Sequence, residues 1–174
     1  MKKPSVLSAY PMEELSGIIC EFVEQGKEVV FTAKGHSMRP LLRSDKDQVI
    51  LRACNPDALG DGEVILYRRD SGGYVIHRIV SRNKNGTYNL MGDSQTQLER
   101  GIRPNQILAV ACGFIIKNRE IASSGKKYTR YVSFWSRSKT IRRLYIFLFY
   151  GFMRLRYLAA AAIRKIFPKK QKNG

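Results

Sequence analysis

Six short apolar runs between Val29 and Ile116 leave this chain few architectures. They are Val29–Ala33, Gln48–Ala53, Glu63–Arg68, Tyr74–Ser81, Thr87–Met91 and Ile107–Ile116. Each is rich in β-branched or aromatic residues, the side chains that pack best on a pleated sheet. Turn formers separate them: Asn55-Pro56-Asp57, Gly60-Asp61-Gly62, Asp70-Ser71-Gly72-Gly73 and Asn83-Lys84-Asn85-Gly86. Asn85-Gly86 between two runs is a hairpin signal, because both residues tolerate the positive φ of a tight turn. No helical pattern intervenes, so the runs cannot be crossover-linked parallel strands. The expectation is a mainly β, antiparallel, partly closed, barrel-like domain.

The flanks read differently. Met12, Leu15, Ile18, Ile19, Phe22 and Val23 recur at helical spacing, with Ser8 as a cap and Gly26 as a stop. Residues 1–27 are therefore expected to form an amphipathic helix packed on the body. Lys2 and Lys3 precede no apolar run, and Pro11, Glu13 and Glu14 interrupt where a signal peptide needs one. No N-terminal anchor is expected. Residues 28–122 hold the strands. Residues 123–174 read as a linker, Ser123-Ser124-Gly125-Lys126-Lys127, and then a helix from about Lys139 to Phe167. On that helix Lys139, Arg143, Arg154 and Lys165 cluster on one side, and Leu144, Leu148, Leu155, Leu158, Ala162 and Ile166 on the other.

Charge sharpens this division. The 174 residues carry a formal +17, which calls for an anionic partner: nucleic acid, a membrane surface or an acidic substrate. Eleven of the basic residues lie from Arg137 onward with no acid among them, so residues 1–136 keep only +6. With 44% hydrophobic residues the chain is not a disordered polycation. Cys20, Cys54 and Cys112 form no CxxC pair and read as ordinary thiols of a reducing compartment. Two histidines leave little for a zinc site, and neither a metal nor another cofactor is expected.

Three segments carry candidate chemistry. In Lys34-Gly35-His36-Ser37-Met38-Arg39-Pro40 a strand ends at a glycine, and a serine sits just before Met-x-Pro. Such a turn presents a hydroxyl beside backbone N–H groups that can face an oxyanion, although most serines there are only turn formers. In Tyr74-Val75-Ile76-His77-Arg78-Ile79, alternation puts Val75, His77 and Ile79 on one face. Half-desolvated between aliphatic neighbours, His77 stays neutral and suits either a general base or a satisfied core position. In Leu90-Met91-Gly92-Asp93-Ser94 a carboxylate sits at a strand end, able to cap backbone N–H groups, orient an imidazole or hold the serine loop. Glu99 follows.

Taken in order, these segments resemble the signal peptidase I-like serine endopeptidases, a clan that includes the self-cleaving SOS-response repressors. The matching pieces are Gly35-His36-Ser37-Met38-Arg39-Pro40, Asp47-Gln48-Val49-Ile50-Leu51, Gly62-Glu63-Val64-Ile65-Leu66-Tyr67, Val75-Ile76-His77-Arg78-Ile79-Val80 and Leu90-Met91-Gly92-Asp93-Ser94, within roughly residues 28–116. The resemblance implies that Ser37 is the nucleophile and His77 the general base. Many members place a lysine there; the histidine-type members include the endoplasmic reticulum, archaeal and some Gram-positive enzymes. Histidine needs little pKa tuning, so a wetter, shallower site is expected. Asp93 matches the Gly-Asp motif and is favoured for the supporting role. Glu99 falls where histidine-type members carry a further aspartate and is the second candidate. Gly35 replaces a hydroxyl residue found in some oxyanion holes, leaving backbone N–H groups, chiefly that of Ser37, with Met38 beside it. His36 is expected to face solvent.

The resemblance further implies a polypeptide substrate with a leader or signal sequence, bound as an added strand, with small residues beside the scissile bond. Members carry N-terminal membrane helices; here attachment is expected at the C-terminus. Leu144–Met153 is an uncharged stretch of ten residues, half of the ~20 that span a bilayer. Arg154 and Arg156 would fall near mid-bilayer in a longer span, so a helix lying on an anionic membrane surface fits better. Its expected contacts are Arg142, Arg143, Leu144, Phe147, Leu148, Phe152, Arg154 and Arg156, with the cytoplasmic side favoured. Nucleic acid is not expected as a partner, since no helix-turn-helix fits before Val29. The alternative is a catalytically inactive or self-cleaving regulatory protein of the same fold that binds DNA or a protein partner.

Overall fold

The computed structural model describes residues 5–7, 17–19, 21–23 and 25–166. Among these residues nine strands form one sheet: β1 Ser5–Leu7, β2 Val29–Thr32, β3 Gln48–Arg52, β4 Val64–Arg68, β5 Tyr74–Arg82, β6 Tyr88–Met91, β7 Glu99–Ile102, β8 Ile107–Ile116 and β9 Arg119–Ala122. The order is β1-β2-β3-β8-β4-β5-β6-β7, with β9 paired to β8. All pairings are antiparallel except β1 with β2. The six expected runs are β2, β3, β4, β5, β6 and β8. At the Asn85-Gly86 turn, Gly86 has φ +83 and the chain folds back from β5 to β6.

The sheet departs from expectation in closure. β1 and β7 stand at opposite ends of the pairing order and do not pair with each other, so the sheet is open and not barrel-like. β1, β7 and β9 lacked the long β-branched runs that mark a strand in sequence. β1 also puts a strand inside the segment expected to be only a helix. Residues 17–19 and 21–23 are helical, and Ile19 and Val23 are buried in the core. Ser8, Met12, Leu15 and Cys20 lie outside the described residues.

Alternation along the strands divides the interior into two apolar layers. Val64, Leu66, Ala109 and Ala111 join Val29, Phe31, Val49 and Leu51 in one; Ile65, Tyr67, Ile107 and Val110 join Ile79, Tyr88 and Leu90 in the other. Successive residues of β4 and β8 thus feed opposite faces, which fixes their register: a slip of one residue would exchange the two sets.

Two helices follow the sheet, α1 (Lys126–Arg137) and α2 (Lys139–Ile166). The expected linker therefore ends early, because Tyr128 and Trp135 are buried and draw α1 onto the body. α1 also packs close to Gly62: a Cβ there would lie 2.9 Å from Val132. The first half of α2 lies against the domain. From Gly151 to Ala159 every residue is exposed. No helix among the described residues is long and apolar enough to cross a membrane. The helix end expected at Phe167 lies outside them.

Candidate active site

Ser37 sits on the irregular segment between β2 and β3. That segment is closed at its base by Ala33 N–H to Asp47 O (3.1 Å) and Asp45 N–H to Ala33 O (2.8 Å). Asp47 is fully buried and accepts from Arg43 through Nε (2.8 Å), Nη2 (2.7 Å) and the backbone N–H (2.8 Å). Burial pushes its carboxyl pKa up, but these bonds outweigh burial and hold it below the usual range. The Arg39–Pro40 peptide is cis. Ser37 and Met38 line an apolar cavity of about 120 Å³ with Phe31, Ala33, Tyr74 and Ile76. Met38 itself is buried in the core. Gly35, with φ +83, donates its N–H to Ser44 Oγ at 3.1 Å, which commits that donor away from an oxyanion.

The Gly92-Asp93-Ser94 segment holds the serine loop. Ser94 N–H donates to Ser37 O at 2.8 Å, and Ser94 Oγ donates to His36 O at 2.6 Å. A Cβ on Gly92 would lie 2.6 Å from Ser37 O and 2.8 Å from Gln95 Oε1, so only glycine lets the two loops approach this closely. Gly92→Ala is accordingly expected to cost about 1–3 kcal/mol of stability through overpacking and to displace the Ser37 loop. Urea unfolding measures this; an unchanged midpoint would mean the contact relaxes freely.

His77 and Arg78 are adjacent on β5 and point to opposite faces, each with its own acid. His77 is 1% exposed, deeper than the half-desolvated position expected. Its Nδ1 lies 3.1 Å from the Tyr67 hydroxyl and 3.3 Å from Glu99 Oε1. Tyr67 donates its proton to Glu99 Oε2 at 2.7 Å. With that proton spent, both neighbours can only accept from Nδ1. The geometry therefore puts the imidazole proton on Nδ1 and leaves the Nε2 lone pair free. Arg69 pairs with Glu99 through Nη2 and through Nε at 2.9 Å. Burial pushes the Glu99 pKa up, but the bonds from Arg69 and Tyr67 prevail and keep it below the ordinary carboxylate value. Burial pushes the His77 pKa down to about 4, with the Glu99 charge opposing.

On the other face, Arg78 and Asp93 form a two-pronged ion pair, Nε to Oδ1 at 2.7 Å and Nη2 to Oδ2 at 2.6 Å, with side chains 3% and 1% exposed. Arg78 Nη1 donates to Gly62 O (2.7 Å) and Tyr128 Oη (2.8 Å), and Tyr131 Oη donates to Asp93 Oδ2 (2.9 Å). Asp93 is thus spent on Arg78 and acts on the site by fixing the Ser94 loop. Glu99 is the carboxylate at the imidazole.

The structure therefore gathers Ser37 with β5 at one cavity, and His77 with Glu99 at one hydrogen-bonded cluster. Among the described residues no hydrogen bond joins Ser37 to His77. His36 does not face solvent: it is half-buried against Phe149, ring centroids 6.0 Å apart. Arg142, expected at a membrane, turns to the domain, its guanidinium reaching Trp135 O (3.1 Å) and Met91 Sδ (3.6 Å). Cys54 and Cys112 are free thiols, and burial pushes Cys112 up to about 11. Tyr67 and Arg69 escape sequence reading. A tyrosine in an apolar strand looks like packing, and an arginine after a strand looks like a solvated end. No family model matches this chain, and no curated protein matches it.

Proposed function

We propose that this chain is a serine endopeptidase similar to signal peptidase I, cleaving leader or signal sequences with Ser37 as nucleophile and His77 as base. The observation that carries the reading is the buried His77, tethered at Nδ1 by Tyr67 and Glu99, on the strand whose Tyr74, Val75 and Ile76 share a cavity with Ser37. In this reading Ser37 Oγ attacks the scissile carbonyl while its proton passes to Nε2 of His77. The oxyanion is met by backbone N–H groups of the turn at Ser37 and Met38. Collapse expels the amine, which takes the proton from His77, and water then releases the acyl group by the same route. The small cavity beside Ser37 supports a small residue next to the scissile bond.

The exposed face of α2 supports attachment to a bilayer containing anionic lipid. Leu144, Phe147, Leu148 and Phe152 are 56%, 74%, 59% and 59% exposed, and Arg143, Arg154 and Arg156 are exposed beside them. Each basic residue near such a surface contributes about 1 kcal/mol. The concentration of eleven basic and no acidic residues from Arg137 onward, against +6 for residues 1–136, favours an anionic surface at this end over a DNA-binding body.

Acylation by p-nitrophenyl acetate tests the chemistry. Acetyl transfer to Ser37, located by peptide mass, is expected in the unaltered chain and absent in Ser37→Ala. An inactive module of the same fold would leave Ser37 of the unaltered chain without an acetyl group.

A further inference from the structure

We propose that Phe149 on α2 is a positioning residue for the loop that carries Ser37, so that the C-terminal helix belongs to the framework of the active site. This rests on the peptidase reading above. One ring touches the loop on both sides of the serine. His36 meets Phe149 edge-on, with centroids 6.0 Å apart and planes at 67°, and the Arg39 guanidinium lies 4.9 Å above the same ring. Among the described residues His36 Nδ1 and Arg39 Nε are buried without a hydrogen-bond partner. The ring therefore helps seat both side chains through edge and cation–π contact, with the Tyr145 hydroxyl beside the Arg39 guanidinium.

The opposite side of the loop is held by Ser94, through His36 O and Ser37 O. Both sides of this clamp are anchored at one point. Phe149 stacks on Tyr145, one turn earlier, at 5.8 Å and 6°. Tyr145 meets Trp135 of α1 at 5.5 Å, and Trp135 Nε1 donates to Asp93 O at 3.0 Å. The row of rings thus returns to the residue that precedes Ser94. Removing Phe149 frees one jaw while the strands and the buried ion pair remain, so the loss falls on the placement of Ser37. Small misplacements of a reacting group are costly, up to about 10²-fold per ångström.

The experiment is the rate of Ser37 acetylation by p-nitrophenyl acetate, resolved into kcat and KM on the full chain. Phe149→Ala is expected to lower kcat about tenfold with little change in KM or melting temperature. Phe149→Leu keeps the bulk without the π face and should be slow as well. Phe149→Tyr keeps the ring and should restore the rate. Tyr157→Ala, on the exposed half of α2, should match the unaltered chain. If Ser37 is acetylated equally fast in the unaltered, Phe149→Ala and Phe149→Leu chains, the positioning role is wrong while the peptidase reading stands. If Tyr157→Ala slows the reaction as much as Phe149→Ala, the effect is not specific to the ring, and the proposal also fails. If the unaltered chain is not acetylated at Ser37, the peptidase reading fails and takes this inference with it.

Discussion

Asp93→Ala is expected to remove about 3–5 kcal/mol from the free energy of unfolding, the cost of stranding one partner of a buried ion pair. The case is strong because Arg78 has no escape. Its side chain is 3% exposed, and it lies 5.6 Å and 5.7 Å from the rings of Tyr128 and Tyr131. Without Asp93 the guanidinium keeps Gly62 O and the Tyr128 hydroxyl but loses both charged contacts. Tyr131 also loses its acceptor, leaving a second buried polar group unpaired. Against a typical total of about 5–15 kcal/mol this leaves a marginal protein. Urea unfolding should show a lower midpoint. Replacing both partners, Arg78→Met with Asp93→Leu, should recover most of the loss, because no unpaired charge remains. A single-variant loss under about 1 kcal/mol would mean that water reaches Arg78, contrary to its burial.

The same pair shows what a sequence can and cannot disclose. Alternation on β5 already sends His77 and Arg78 to opposite faces, and Arg78 between isoleucine and valine neighbours needs an acid as much as His77 does. The register of β5 on β6, Arg78 opposite Met91, brings Asp93 to Arg78, and that register is set by a bulge between Ile79 and Ser81. Nothing local in the sequence encodes it. Glu99 reaches His77 because β7 pairs beside β6, with Leu90 opposite Glu99, and β7 itself carries Arg100 and Gly101, poor strand signals. β2, β3, β4, β5, β6 and β8 were legible because their pattern is local. The open sheet was not, since closure depends on how its end strands pair. On α2 the wheel shows apolar and basic sides but not which one meets the domain. The docked side is Arg142, Tyr145, Ile146 and Phe149, a mixed polar and aromatic stripe, while the more aliphatic side with Leu144 and Leu148 remains exposed.

Replacing His77 by alanine is expected to reduce turnover by about 10²–10⁴-fold, the usual worth of a positioned base. The sharper expectation concerns pH. An ordinary histidine base is protonated below about 6.5, and activity falls with it. His77 is held neutral by burial down to about 4, so kcat/KM for p-nitrophenyl acetate should persist through pH 5 and fall on a limb near 4. Stability moves in the same window with a definite sign. Between pH 6.5 and 4 the unfolded chain binds a proton at His77 that the folded chain refuses. Folding is therefore strongest above 6.5 and weakens as the pH falls to 4, by up to about 1.4 kcal/mol per pH unit. Glu99, whose folded pKa is lowered, contributes stability that is present above its unfolded value near 4.5 and is lost as the pH falls further. The two groups thus leave separate signatures. His77→Gln should flatten the stability profile between pH 6.5 and 4 and leave the carboxylate loss below it. An activity limb at 6.5, or a His77→Gln profile as steep as that of the unaltered chain, would show that water or a rearrangement of Tyr67 and Glu99 relieves the burial. In that case the imidazole would not be the neutral, Nδ1-tethered base that the proposed mechanism requires.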